Sequence, residues 1–99
     1  MISRQWRGLA KAACSDAYVE HLKTETFPQL RELSGFVDAT IYRREVDKGV
    51  EFLIETRWES LASIRKFSGD NVEAAVVPAN VRDMMLDCET LVRHYTVVE

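Results

Sequence analysis

Ninety-nine residues, 46% apolar and 29% charged, suit one domain over residues 1–99 with a small core. The net charge of −3 argues against a nucleic-acid partner, which needs a concentrated basic face. No apolar run approaches the ~20 residues of a membrane span, and the opening MISRQWRGLAK lacks the apolar core of a signal peptide, so a cytoplasmic protein is expected. Cys14 and Cys88 fall in no CxxC or Cys/His spacing of a metal site. Both are expected to be free thiols with a structural role.

ISRQWRGLAK, residues 2–11, reads as a first strand, with Gly8 marking a bulge or a close approach. CSDAYVEHLKTETFPQLREL then reads as a helix that Ser15 or Asp16 can cap. Tyr18, Leu22, Thr26, Leu30 and Leu33 form a stripe at helical spacing. Pro28 removes a backbone donor and clashes with the preceding turn, so a kink is expected near Phe27. Gly35 supplies the stop. Two β-rich runs flank Asp47-Lys48-Gly49, a hairpin signal in which Gly49 can take a positive φ. Val50, Phe52, Ile54, Thr56 and Trp58 alternate with Glu51, Leu53, Glu55 and Arg57. Ser60 can cap a helix LASIRKF that Gly69 closes, and Asp70 can cap a further one, NVEAAVV, ended by Pro78. ANVRDMMLDCE reads as a last short helix and TLVRHYTVV as a fourth strand.

The order β-α-β-β-α-β, with the second helical region divided, suits an α+β, ferredoxin-like sandwich with an antiparallel four-stranded sheet and helices on one face. The other face is left uncovered and is an interface candidate.

LSGF leading into strand two, RWES leaving strand three, FSGDNVEAAVVP and the closing RHYTVV, with Tyr and Leu spaced along helix one, cover nearly the whole chain. In order and spacing they resemble the antibiotic biosynthesis monooxygenase (ABM) family of the dimeric α+β barrel superfamily. The resemblance implies a homodimer in which two four-stranded sheets meet face to face, and a pocket in each subunit between sheet and helices. It also implies cofactor-independent monooxygenase chemistry on a small aromatic or quinol-like substrate, whose phenolate gives an electron to O₂ itself. The protein then supplies a dry pocket, a base and hydrogen bonds to the oxyanion. The haem-degrading members carry an Asn, a Trp and a His ligand that fall near Trp6, Phe67 and Val77 here. All three are replaced, so haem chemistry is not expected; neither a cofactor nor a metal is.

His94 is the candidate base, since an imidazole can take a phenolic proton near neutral pH; the plainer account is a satisfied strand histidine at the dimer interface. Neighbours on a strand point to opposite faces, so His94 and Tyr95 cannot both line one pocket. Trp6, Tyr42, Trp58, Phe67 and Tyr95 are the candidate pocket wall for a flat aromatic ligand, core packing being the plainer account for at least one Trp. His21 reads as a rim residue. Arg4, Arg7, Arg43 and Arg44 read as solvated or paired charges, any of which can hold a phenolate or carboxylate. The rival to the enzyme is a non-catalytic or stress-related dimeric ligand-binding module of the same fold. Isomerase and lyase chemistry, also cofactor-free in this superfamily, stays open.

Overall fold

A computed structural model describes every residue, Met1–Glu99. Strand β1 (Ile2–Ala10) is central. It pairs antiparallel with β3 (Gly49–Trp58), and β3 pairs antiparallel with β2 (Phe36–Val46). The other edge of β1 is shared by two short strands. β5 (Arg93–Thr96) runs beside Ile2–Gln5, and β4 (Met85–Cys88) beside Gly8–Ala10. The fourth sheet position is thus filled by two pieces joined through residues 89–92. The layout is the expected ferredoxin-like α+β sandwich with an antiparallel sheet.

Period-2 alternation sorts the side chains. Val50, Phe52, Ile54, Thr56 and Trp58 are all buried on the helix side of β3, with Arg4, Trp6 and Ala10 beside them from β1. Gly8 lacks a side chain because the Trp6 ring occupies the space: a Cβ there would stand 2.4 Å from the ring. Gly49 departs from expectation. It keeps a negative φ, and its missing Cβ instead admits the Ala10 carbonyl oxygen, 2.2 Å from where a Cβ would be.

The first helical region has three parts: α1 (Ser15–His21), a π-helical turn (Leu22–Thr26) and α2 (Phe27–Arg31). Pro28 explains the turn. It has no N–H to donate to Thr24, and its ring crowds that carbonyl, so the helix widens by one residue before it. The Phe27 N–H reaches back to the Leu22 carbonyl, five residues away. The inserted residue shifts the apolar stripe. Tyr18, Leu22, Phe27 and Leu30 are buried, whereas Thr26, expected in the stripe, is only partly covered. Neither Ser15 nor Asp16 caps α1. Both side chains turn to Arg43 of β2 instead, at 3.2 and 3.0 Å.

Helix α3 (Leu61–Ser68) is capped by the Ser60 hydroxyl, which accepts from the Ser63 N–H at 3.2 Å, and ends at Gly69 with φ +81°. The next segment corrects the expectation. Residues 71–77 form no helix, and Asp70 caps nothing. Ala74 bridges Leu91, while the Ala75 and Val92 N–H groups donate to the Thr90 and Glu73 carbonyls at 2.9 and 2.8 Å. Two adjacent β-branched valines before Pro78 favour extended backbone over helix. Helix α4 (Ala79–Met84) is shorter than expected, because Met85–Cys88 leave it to pair with β1. No helix is long and apolar enough to cross a membrane.

Ser3, Gln5, Arg7 and Leu9, with their cross-strand partners, make the second sheet face, which no helix covers. This face is mixed. Leu9, Leu53, Tyr42 and Tyr95 lie among the pairs Arg44–Glu51 (3.1 Å), Arg57–Glu55 (3.8 Å) and Arg57–Asp38 (3.8 Å).

Gly35 has φ +91°, and a Cβ on it would stand 1.9 Å from the Ser63 Oγ. Gly69 has a similar φ but open space around it. Backbone strain alone costs about 1–3 kcal/mol. Gly35→Ala is therefore expected to destabilise more than Gly69→Ala in urea unfolding; equal losses would mean that the Ser63 contact relaxes at no cost.

Candidate functional site

Between the helices and the sheet lies a narrow cavity of about 80 Å³. It opens through a vestibule of about 280 Å³ beside His21, Glu25, Val76 and Pro78. The inner wall is mostly apolar: Trp6, Leu22, Phe27, Leu30, Ile54, Phe67, Val77, Val81 and Val92. Its polar members are Arg4, Tyr18, His21, Thr26 and Thr56.

Arg4 dominates the electrostatics. It is 4% exposed, and no carboxylate lies in ion-pair contact with it. Its partners are neutral: Nη1 donates to the Val72 carbonyl at 2.6 Å and to His94 Nε2 at 2.9 Å, and Nη2 donates to the Ala74 carbonyl at 2.9 Å. The guanidinium carbon lies 5.7 Å from the centre of the Phe67 ring. Burial lowers its pKa to about 10, so it remains charged at neutral pH. A buried cation without a counter-ion favours any anion that enters beside it.

His94 faces the helix side, opposite Arg4 in the β1–β5 register. A guanidinium can only donate, so Nε2 must accept and the ring proton sits on Nδ1. Burial lowers the His94 pKa, and the Arg4 charge lowers it further, while Glu73 pulls the other way. Its lone pair is spent on Arg4, and the ring stands behind that residue rather than on the cavity wall. Tyr18 is 3% exposed, and burial pushes its pKa up, so its hydroxyl stays protonated as a hydrogen-bond donor. His21 lines both cavity and vestibule, and its Nδ1 meets the Glu25 carboxylate at 2.7 Å.

The residues singled out from sequence separate into two groups. Trp6 and Phe67 line the cavity. Trp58 is fully buried one layer behind, with its ring stacked on Phe67 at 6.2 Å and its Nε1 donating to the Thr56 hydroxyl. Tyr42 and Tyr95 are about half exposed on the uncovered sheet face and are not part of this cavity. Arg4, Tyr18 and His21 carry more of the polar wall than their sequence reading assigned them. For Arg4 a signal was present: it shares the period-2 face of Trp6, Gly8 and Ala10, so it had to point inward.

The lowered His94 pKa has a consequence for stability. The folded state disfavours the proton that the unfolded chain takes up below about 6.5. The contribution is therefore complete above that pH and lost as pH falls below it. The groups facing His94 are Arg4 and Glu73. Thermal melting should show a midpoint that drops between neutral and mildly acidic pH, with a shallower drop in His94→Gln. Identical slopes in the two proteins would remove His94 as the cause.

No family model and no curated protein matches the sequence. Solved structures do match its fold. A Bacillus cereus protein provisionally named an antibiotic biosynthesis monooxygenase has a TM-score of 0.68 at 18% identity, over 100% of this chain and 94% of that one. A Deinococcus radiodurans protein of the same provisional name has a TM-score of 0.63 at 16% identity, over 100% and 94%. The Streptomyces coelicolor monooxygenase from the gene ActVA-Orf6, solved with the ligand nanaomycin D, has a TM-score of 0.67 at 19% identity, over 99% and 88%. The chain has the fold of the antibiotic biosynthesis monooxygenase structures.

Proposed function

We propose that this chain is a cofactor-independent monooxygenase of the ABM type, acting on a small phenolic or quinol-like aromatic. The observation that carries the reading is Arg4: a buried, charged guanidinium without an acidic partner, set in the wall of an otherwise apolar cavity. Such a site prefers a flat apolar molecule with one acidic oxygen. Arg4 is the donor for the oxyanion, and Trp6 and Phe67 are the apolar walls. His94 positions Arg4 by accepting from its Nη1. In the balanced reaction an activated CH₂ beside the phenol and one O₂ give C=O and one water. The substrate carbanion supplies the electrons, so no external reductant is consumed. The structure of the same fold solved with nanaomycin D supports a small-molecule ligand for this chain.

Size decides what must move. An engineered apolar cavity of ~150 Å³ takes up a single benzene ring, and the inner space here is about half that, about 80 Å³. A substrate therefore has to displace part of the wall. Residues 71–78, which carry Val76 and Val77 and lack helix or ladder along most of their length, are the segment that yields. The second reading is a non-catalytic dimeric ligand-binding module of the same fold, for which the same wall has to yield.

The homodimer belongs to the same proposal. The uncovered face, with Tyr42, Leu53, Leu9 and Tyr95 among its ion pairs, is the surface that meets its copy. A stable interface buries on the order of 2,000 Å² in total, about one-sixth of each chain's 6140 Å². Light scattering at micromolar concentration is expected to give a dimer; a monomer would remove that element.

The test of activity is oxygen uptake with anthrone- and quinol-type compounds and no added cofactor. Wild type is expected to consume one O₂ per substrate. Losing one oxyanion donor costs about 10²–10³-fold in rate, so Arg4→Met, checked for folding by its melting curve, should lose that much. Wild type that binds such compounds but consumes no oxygen would favour the binding module.

A further inference from the structure

Oxyanion donors alone do not start such a reaction; a group must accept the proton. The proposed function fills His94 Nε2 with Arg4, which leaves the acceptor unassigned. The other histidine has the geometry for it. His21 ends α1, immediately before the π-helical turn, and its ring borders both the cavity and its vestibule. The side chain is 9% exposed, so the ring is held rather than free in solvent. Its Nδ1 meets Glu25 Oε2 at 2.7 Å, and Glu25 itself is 62% exposed, on the solvent side of the ring. The charge of the Glu25 carboxylate, 2.7 Å from Nδ1, favours the ring proton on that side and leaves Nε2 as the lone-pair nitrogen. That nitrogen makes no hydrogen bond within the protein.

We infer that His21, oriented by Glu25, is the general base at the cavity mouth and takes the proton of the bound phenol or activated methylene at Nε2. The O–H or C–H bond of the ligand breaks, and an N–H bond forms on Nε2. The electron pair stays on the ligand, where Arg4 receives the charge. The resulting imidazolium is stabilised by Glu25. This assignment rests on the proposed function for its substrate class, but the proton transfer needs no oxygen and can be read without turnover.

The probe is 4-cyanophenol, a single ring whose ultraviolet band shifts on ionisation and which is mostly un-ionised in neutral water. Wild type is expected to bind it with the phenolate band and with no net proton released to the buffer, since His21 keeps the proton. His21→Gln, checked by its melting curve, should bind the phenol with the phenolate band lost. Glu25→Gln changes an exposed residue, so folding is not at issue; it keeps an acceptor for Nδ1 but removes the charge, and should show a weakened band. In oxygen uptake the three proteins should fall in the same order. A folded His21→Gln that keeps the full phenolate band overturns the assignment, as does loss of the band in His94→Gln alone. Wild type that binds the probe only as the neutral phenol overturns it too. The two readings fail separately. The expected spectra without oxygen uptake on any substrate leave His21 as an acceptor and remove the monooxygenase. Undiminished oxygen uptake in His21→Gln removes His21 and leaves the monooxygenase.

Discussion

A guanidinium buried without a counter-ion is the constraint around which the cavity side of this molecule is arranged. Arg4 sits on the central strand, yet its three hydrogen bonds reach Val72, Ala74 and His94, all in the last third of the chain. Hydrogen bonds from a charged donor contribute about 1.5–3 kcal/mol each, so the wall segment is held against the sheet by one side chain from the first strand. A lysine could not do this, because it lacks the planar fork that reaches several acceptors at once. The same residue lines the cavity. A ligand anion therefore competes with, or adds to, contacts that keep the wall closed, and binding is tied to wall movement by the chemistry of a single group.

The sequence made the frame legible because local signals and global fold agree there. The alternation in β3, the Ser60 cap and the Gly69 stop all describe what forms. The stretch after Gly69 misleads for a physical reason. Residues 71–77 have a capping aspartate and a bounding proline, but their backbone groups are claimed by Arg4 and by residues 90–92. Long-range partners override local helix signals, and no window of sequence contains them. The same holds for Met85–Cys88, whose strand character comes from the free edge of β1.

The site was half legible. Trp6 and Phe67 carry their aromatic signature openly. Tyr42 and Tyr95 carry the same one on the opposite face, and only strand register separates the two pairs. His94 draws attention as a strand histidine. What it does is set by Arg4, ninety residues earlier in the chain. His21 hides on a helix flank, because its role depends on Glu25 one turn on and on the cavity that the packed helix encloses.

The π-helical turn has a further consequence. One extra residue in a helix rotates everything beyond it by about 100° relative to what precedes. Tyr18 and His21 before the turn, and Phe27 and Leu30 after it, all border the cavity. A regular helix of the same sequence would swing Phe27 and Leu30 away from the face that Tyr18 and Leu22 set. The widened turn brings both halves of the helix onto one wall. Pro28, which forces the irregularity and is itself no part of that wall, thus shapes the cavity from outside it.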